Sequence, residues 1–326
     1  MPDVERCLEA RGLLEHDFFG GWAAPDVELL KKYAHPLVGP PTAGELVDWL
    51  GVRTDLDMHA WLPRPADNII HVLGLPVPND MIHAEAIEYI AMIVGLERAA
   101  RHADRRYTVI ELGASYGPWC VSSSVLATRM RFENIHLTAV EASATSVPNI
   151  GRHAQRNGLG GRADVEIRAI HAAVHLADEF VYFPRIQVNA DNGAQVALEP
   201  SQVDYRGIQV QHDRVEGISL STLCEGFERV DFVHMDLQGA EERLLGDERF
   251  LGTLDSKVAT LFLATQSRLI EGIALKTISA LGWRLVRERP TTFQQNSRSN
   301  DVNGWTTRDG GQLWLNPRFG DLHLQM

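Results

Sequence analysis

The stretch "VIELGASYGPW" (residues 109–119) decides the fold of this chain. An apolar run ends at Glu111, and a loop with Gly113 and Gly117 leads into Pro118 and Trp119. Glycines in such a loop let the backbone pass close to a ligand at the end of a strand. The stretch therefore predicts a nucleotide-binding turn between a strand and a helix, and it leaves the kind of nucleotide open.

Strand and helix patterns alternate after this loop. Short apolar runs separated by amphipathic stretches are typical of a parallel sheet covered by helices. The predicted strands are "YTVIEL" (107–112), "IHLTAVEA" (135–142), "ADVEIRAIHAAV" (163–174), "VDFVHMDL" (230–237), "KVATLFLAT" (257–265), "WRLVRER" (283–289) and "GQLWLNP" (311–317). We therefore predict an α/β protein with a Rossmann-like, doubly wound sheet of seven strands.

Two regions between these strands have other patterns. Residues 178–216 contain the turn-rich "NADNGAQV" and predict irregular structure. The stretch "AEERLLGDERFLGTL" (240–254) predicts a single helix after the fourth strand.

Residues 1–78 have a different character from the rest of the chain. They contain the short helical patterns "DVERCLEARGLLEH" (3–16), "APDVELLKKYA" (24–34) and "TAGELVDWLG" (42–51), followed by a proline-rich stretch. A long helical pattern begins at Asn79. We predict an N-terminal helical cap over residues 1–78, which shapes the substrate site, and the main α/β domain over residues 79–326.

The composition of the chain disfavours some classes of protein. The formal net charge of −12 disfavours a nucleic acid partner, because phosphate backbones bind basic surfaces. The three cysteines have no disulfide or metal-ligand spacing, which indicates a reducing compartment. The chain has no signal-peptide pattern and no long apolar run. We expect a cytoplasmic protein without a membrane partner, and the oligomeric state, including a homo-oligomer, stays open.

The spacing of the glycines separates two cofactors. A dinucleotide site prefers three glycines in G-x-G-x-x-G with an acid about 20 residues later. Here Glu111, Gly113 and Gly117 form E-x-G-x-x-x-G, and the next strand-end acid is Glu141. This pattern is similar to the S-adenosylmethionine site of Rossmann-like methyltransferases. A carboxylate at Glu141 can accept hydrogen bonds from both ribose hydroxyls.

The end of the third strand predicts the surroundings of the adenine. His171 and Ala172 are the candidates there. His171 and His175 have the spacing of helical metal ligands, but this segment has a strand pattern, so we predict no metal. The predicted cofactor-binding residues are Glu111, Gly113, Ala114, Ser115, Tyr116, Gly117, Glu141, Ala142, His171, Ala172, Asp236 and Gln238.

The fourth strand carries the candidates for catalysis. It ends in "HMDLQGAE" (234–241), and ligands bind at the carboxyl ends of strands in open α/β sheets. His234 and Asp236 lie on one side of the strand because successive side chains alternate. Either residue is a candidate for the base that accepts a proton, and a core histidine or a cofactor ligand is the competing interpretation.

These motifs together resemble the FkbM-type methyltransferases over roughly residues 45–320. The matching stretches are "IHAEAIEYIA" (82–91), "VIELGASYGPW", "LTAVEAS" (137–143), "HAQRNGL" (153–159), "STL" (221–223), "HMDLQGAEERLL" (234–245), "TQSRLIEG" (265–272), "LGWRLVRE" (281–288) and "DGGQLWLNPR" (309–318). The resemblance implies a class I methyltransferase fold and methyl transfer from S-adenosylmethionine to a hydroxyl of a sugar, a polysaccharide unit or a glycosylated natural product.

The resemblance also suggests residues outside the cofactor loop. His83 is a further catalytic candidate, and a histidine of the similar subgroup is replaced by Gln266 here. Glutamine can bond to a hydroxyl but cannot accept its proton. The substrate candidates are Glu85, Gln266, Arg268, His59 and Trp61. Two alternatives remain: a nicotinamide-dependent enzyme on the same sheet, and an inactive protein that only binds the cofactor.

Overall fold

A computed structural model describes residues 16–17, 21–35, 44–58, 86–186 and 193–320. Its helices are α1 (Ala24–Tyr33), α2 (Ala86–Ala99), α3 (Pro118–Arg129), α4 (Val147–Arg156), α5 (Leu220–Leu223), α6 (Glu241–Leu245), α7 (Glu248–Lys257) and α8 (Arg268–Ala280). Single 3₁₀ turns cover Leu56–Met58, Asn303–Trp305 and Pro317–Phe319.

The strands follow the predicted alternation with these helices. They are β1 (His16–Asp17), β2 (Trp22–Ala23), β3 (Glu45–Val47), β4 (Arg53–Asp55), β5 (Arg106–Leu112), β6 (Asn134–Glu141), β7 (Val165–His171), β8 (Ala173–Val174), β9 (Phe180–Pro184), β10 (His212–Ile218), β11 (Phe232–Met235), β12 (Thr260–Thr265), β13 (Arg284–Arg289), β14 (Thr292–Phe293), β15 (Thr306–Arg308) and β16 (Gly310–Leu315).

The central sheet has seven strands in the order β13-β16-β12-β11-β5-β6-β7. The five strands from β12 to β7 are parallel, whereas β16 runs antiparallel to both β12 and β13. This sheet confirms the predicted Rossmann-like architecture of a class I methyltransferase fold.

Both faces of the sheet are covered by apolar packing. Tyr107 and Val109 of β5 pack with α2 and α3 on one face. Ile110 and Leu112 belong to the cluster with α6, α7 and α8 on the other face. Strands that are buried on both faces form continuous apolar runs, which explains why β5, β11 and β12 were recognisable in the sequence.

The connections bring three strand ends together. The chain continues from β5 to β6 and β7 on one side of β5, and then returns to β11 and β12 on its other side. A crevice opens at such a reversal of strand order, outside the carboxyl ends of the strands. The loops after β5, β6 and β11 therefore face one another.

The helix predicted over residues 42–51 is wrong. Glu45–Val47 is a strand that pairs antiparallel with Arg53–Asp55. The carboxylate of Asp48 accepts a hydrogen bond from the amide of Val52 (2.8 Å), and Gly51 has a positive φ of 74°. These two residues close a turn, and the apolar side chains whose spacing suggested a helix are buried around it.

The prediction of irregular structure over residues 178–216 is also wrong in part. Phe180–Pro184 and His212–Ile218 are strands of a three-stranded sheet in the order β8-β10-β9. Their side chains Val181, Phe183 and Val215 form a small apolar cluster of their own.

The single helix predicted over residues 240–254 is two helices. Glu241–Leu245 ends at Gly246, and Glu248–Lys257 begins after Asp247. The Asp247 side chain accepts hydrogen bonds from the amides of Arg249 (2.9 Å) and Phe250 (3.0 Å). This cap satisfies amides that a continuous helix would have paired internally. In the described part of the chain, none of these helices is long and apolar enough to cross a membrane.

Candidate functional site

A cavity of about 180 Å³ opens at the carboxyl ends of β5, β6 and β11. The loops after these strands form most of its wall, and the β8–β10 region closes one side. The lining residues are Glu88, Glu111, Gly113, Ala114, Ser115, Tyr116, Pro118, Trp119, Val140, Glu141, Ala142, Ser143, Ser146, Ala172, Ala173, Val174, Phe183, Ile186, Ala194, Val196, His234, Asp236, Leu237, Gln238 and Ala240.

The glycine loop after β5 lies directly against the loop after β11. Gly113 has a φ of 80°, and its amide and that of Ala114 donate to the carbonyl of Val140 (3.0 and 2.9 Å). A Cβ atom at Gly113 would overlap the carbonyl oxygen of Asp236. Glycine is therefore required here both by the backbone conformation and by the neighbouring strand end.

Glu111 occupies the amino end of helix α3. Its buried carboxylate accepts hydrogen bonds from the amides of Trp119 (3.3 Å) and Cys120 (2.7 Å). Desolvation raises the pKa of Glu111 to about 8, against the opposing effect of these two bonds. Because the carboxylate binds the amides of the first turn, they are not free for an anionic ligand such as a pyrophosphate.

Glu141 joins the loops after β5 and β6. One oxygen accepts from the amide of Ser115 (2.7 Å) and the other from the amide of Ser143 (2.6 Å). Burial raises the pKa of Glu141 above its ordinary value. Each carboxylate oxygen has a second lone pair, so the group can still accept hydrogen bonds from a ligand.

The opposite side of the cavity is apolar. Ala142, Ala172 and Val174 come from the ends of β6, β7 and β8, while Phe183 and Ile186 come from β9 and its exit. Such a surface suits the faces of a flat aromatic ring. The predicted residue His171 is exposed, and its Nε2 lies 3.1 Å from the carbonyl oxygen of Ala142 instead of in the cavity lining.

Asp236 lies at the end of β11 under two side-chain amides. Its Oδ1 accepts hydrogen bonds from Nε2 of Gln238 (2.7 Å) and Nε2 of Gln266 (2.8 Å). Desolvation, followed by the nearby carboxylate of Asp309, raises the pKa of Asp236 to about 7. A carboxyl group with this pKa is half ionised near neutral pH and can exchange a proton there.

His234 is a buried, neutral histidine. Its ring stacks between Trp119 (5.3 Å between centroids) and Phe262 (5.0 Å), and its Nε2 lies 3.1 Å from Glu88 Oε1. Desolvation lowers the pKa of His234 to about 3, and this effect exceeds the attraction to nearby carboxylates. The imidazole can therefore donate or accept one hydrogen bond in the cavity, but it carries no positive charge at neutral pH.

The loop between Asp236 and Glu241 is held in an uncommon conformation. Gln238 has a φ of 56° and Gly239 a φ of 107°. The buried carboxylate of Glu241 accepts hydrogen bonds from the amides of Leu237 and Gly239 (2.8 Å for the latter). Desolvation raises the pKa of Glu241 to about 8. Glu241 fixes the loop that carries Asp236 and Gln238.

The structure brings most predicted site residues together. Ten of the predicted cofactor residues line the cavity, and so does His234; the two outside the lining are Gly117 and His171. Gly117 has a φ of 75° and precedes helix α3, so it shapes the loop. Gln266 contacts Asp236 from outside the lining, and Arg268 is exposed with its guanidinium over the ring of Phe293 (5.4 Å). His59, Trp61, His83 and Glu85 lie outside the described residues.

Sequence reasoning missed several lining residues. Glu88 lies three residues after Glu85 in the same motif, and only the fold shows that its carboxylate reaches His234. Phe183 and Ile186 belong to the region that was predicted to be irregular. The apolar run "FVYFP" was the available signal for that strand.

A curated relative of this chain is described as a methyltransferase. No family model matches the chain. A curated protein of Jannaschia sp. (strain CCS1), described as "Putative methyltransferase", is 24% identical over 261 residues, which are 79% of this chain and 88% of the relative.

Solved structures with a similar arrangement include several methyltransferases, some of which are described as RNA methyltransferases. One is the precorrin-6y C5,15-methyltransferase of Geobacter metallireducens GS-15 (TM-score 0.35, 10% identity, 73% of this chain and 90% of that one). Another is the O-methyltransferase of Bacillus cereus in complex with SAH (TM-score 0.34, 10% identity, 70% of this chain and 80% of that one). The FkbM-type resemblance stays a prediction.

Proposed function

We propose that this protein is an S-adenosylmethionine-dependent methyltransferase of the FkbM type, which methylates a hydroxyl group of a sugar, a glycan or a glycosylated natural product. The charge of the cavity carries the cofactor part of this proposal. The described residues of its lining include the carboxyl groups of Glu88, Glu111, Glu141 and Asp236 and no lysine or arginine. A sulfonium cofactor suits this lining, whereas a pyrophosphate would meet carboxylates and a helix terminus already bonded to Glu111.

Each part of the cofactor has a matching part of the cavity. Glu141 can accept hydrogen bonds from the ribose hydroxyls, and Ala142, Ala172 and Phe183 can cover the adenine faces. Glu88 contributes negative charge for the ammonium and sulfonium end. A bound cation also favours the ionised form of Glu111, whose pKa burial raises to about 8. The bound cofactor supplies an electrophilic methyl group, and the protein has to supply an oriented acceptor and a proton acceptor.

Asp236 is the better candidate for that proton acceptor. A sugar hydroxyl is a weak acid, so a base must take its proton as the new carbon–oxygen bond forms. The pKa of Asp236 is about 7 and that of His234 is about 3, so a proton taken up near neutral pH stays on Asp236. Most of the remaining acceleration is expected from holding the hydroxyl oxygen in line with the methyl group.

Calorimetry tests the cofactor part of the proposal. We expect micromolar binding of S-adenosylmethionine and S-adenosylhomocysteine and no binding of NAD. Glu141→Gln is expected to weaken S-adenosylhomocysteine binding by about tenfold, the worth of one hydrogen bond to a charged group. The matched control is Glu133→Gln, an exposed acid just before the other end of β6. Binding of NAD alone, or equal effects of both substitutions, would contradict the assignment.

A further inference from the structure

Two buried amide oxygens on side chains that contact the loop after β11 have no hydrogen-bond partner among the described residues. They are Oε1 of Gln266, whose residue is 2% exposed, and Oδ1 of Asn303, whose residue is 6% exposed. A buried polar atom without a partner costs about 1–3 kcal/mol of folding free energy. Such atoms need an explanation, and a missing ligand is one explanation.

Both side chains flank the same loop. Gln266 donates its Nε2 hydrogen to Asp236 at the start of the loop (2.8 Å). Asn303 lies beside Gly239 at the other end, since a Cβ atom there would be 3.0 Å from Asn303 Nδ2 and 2.7 Å from Gln195 Nε2. The hydroxyl of Thr306, three residues after Asn303, donates to the backbone carbonyl of Gln266. Gln266 therefore lies at the Asp236 end of this loop and Asn303 at its Gly239 end.

The position of Asn303 is fixed by its backbone. The amide of Asn303 donates to the carboxylate of Asp301 (2.9 Å), and that of Gly304 donates to the carbonyl of Asp301 (3.0 Å). The indole of Trp305 donates to the carbonyl of Ser299 (2.9 Å). The side-chain amide of Asn303 takes no part in these bonds, so the turn does not need it.

We propose that Asn303 and Gln266 form a subsite that binds hydroxyl groups of a polyhydroxylated acceptor, such as a glycoside, beside Asp236. This inference rests on the proposed methyltransferase function. Side-chain amides offer donors and acceptors together, and a hydroxyl group is the ligand group that matches both. An ammonium group only donates, so it could bond to the two amide oxygens but not to the amide nitrogens of Asn303 and Gln195.

The stability of one variant tests the subsite without any acceptor. Asn303→Leu is expected to unfold at the same urea concentration as the wild type or at a higher one, because it removes an unpaired buried amide. The matched control is Asn316→Leu. Asn316 donates to the carbonyls of Asp255 and Val258 (2.8 Å each) and accepts from the amide of Arg318 (3.0 Å). The control should be clearly destabilised, and an equal loss in both variants would overturn the subsite.

Binding of defined glycosides tests the ligand class. The probes are methyl α-glucoside, methyl α-mannoside, methyl α-rhamnoside and methyl β-xyloside, added to the S-adenosylhomocysteine complex and followed by saturation-transfer NMR. We expect saturable binding of at least one probe to the wild type, and binding about tenfold weaker to Asn303→Leu with unchanged S-adenosylhomocysteine affinity. No glycoside binding, or equal binding to both proteins, overturns the subsite. Failure of the wild type to bind S-adenosylhomocysteine contradicts the proposed function instead.

Discussion

Replacement of Gly113 by alanine is expected to lower the stability of the folded protein in two ways. The first is the backbone conformation: a φ of 80° is unfavourable for alanine by about 1–2 kcal/mol. The second is space, because the new Cβ would overlap the carbonyl oxygen of Asp236 and lie 3.0 Å from its carbonyl carbon. A backbone shift of a neighbouring strand end costs roughly another 1–3 kcal/mol. We therefore expect Gly113→Ala to lower the free energy of unfolding by about 3 kcal/mol.

Gly158→Ala is the matched control for this experiment. Gly158 has a φ of 71°, and a Cβ atom there would have no neighbour within 4 Å. It therefore carries the conformational cost alone, about 1–2 kcal/mol. The assay is urea unfolding followed by tryptophan fluorescence, with S-adenosylhomocysteine affinity measured on the same samples. Gly113→Ala should also lose most of its affinity, whereas Gly158→Ala should retain it. Equal losses of stability in the two variants would refute the contact between Gly113 and Asp236.

Two further substitutions test the base and the apolar wall. Asp236→Asn should abolish turnover. It should also become more stable than the wild type as pH rises from 4 to 7, because only the wild type must ionise a carboxyl group at this position. The pKa of that group is about 7 in the folded protein, against an ordinary value of 3.8. The gain should reach about 2–4 kcal/mol at pH 8 in urea unfolding, and a gain independent of pH would contradict the raised pKa. Phe183→Ala should weaken S-adenosylhomocysteine binding about tenfold by calorimetry, since an aromatic wall is lost. Phe180 lies on the same strand but is exposed, so Phe180→Ala should not weaken this binding. Equal effects of the two substitutions would exclude Phe183 from the adenine side.

The central sheet was predictable because its signals are local. Strands β5, β6, β11 and β12 are apolar runs bounded by glycines, acids or helix caps, and each pattern is visible within ten residues. The position of the glycine loop beside Glu141 was predictable from the order of the strands. Gly113 and Glu141 are far apart in the sequence, yet the strand ends that carry them must meet at one edge of a parallel sheet.

The remaining parts of the fold and of the candidate site depend on contacts between distant residues, which a local sequence pattern does not show. The apolar spacing of Leu46, Val47 and Trp49 fits a helix as well as a buried hairpin. The hairpin is stabilised by docking on helix α4, where the amide of Arg53 donates to the side chain of Asn157 (2.8 Å). Strand β9 likewise exists through its pairing with β10. All residues of helix α2 except Glu88 and Glu97 are buried, and the contact that Glu88 makes follows only from the position of His234.

The loop after β11 combines several features that lower the stability of a protein. Gln238 has a positive φ, and Asp236 and Glu241 are acids with raised pKa values. Gln266, which contacts Asp236 from the end of β12, has an unpaired amide oxygen. Glu241 holds the loop through its bonds to the amides of Leu237 and Gly239, but an apolar or neutral replacement of Asp236 or Gln266 would remove a cost. Unfavourable features of this kind persist together where they are part of a function. Their concentration beside the acid-lined cavity therefore argues against an inactive protein that only binds the cofactor. It supports the proposal that Asp236, at the end of β11, accepts the proton of the acceptor hydroxyl.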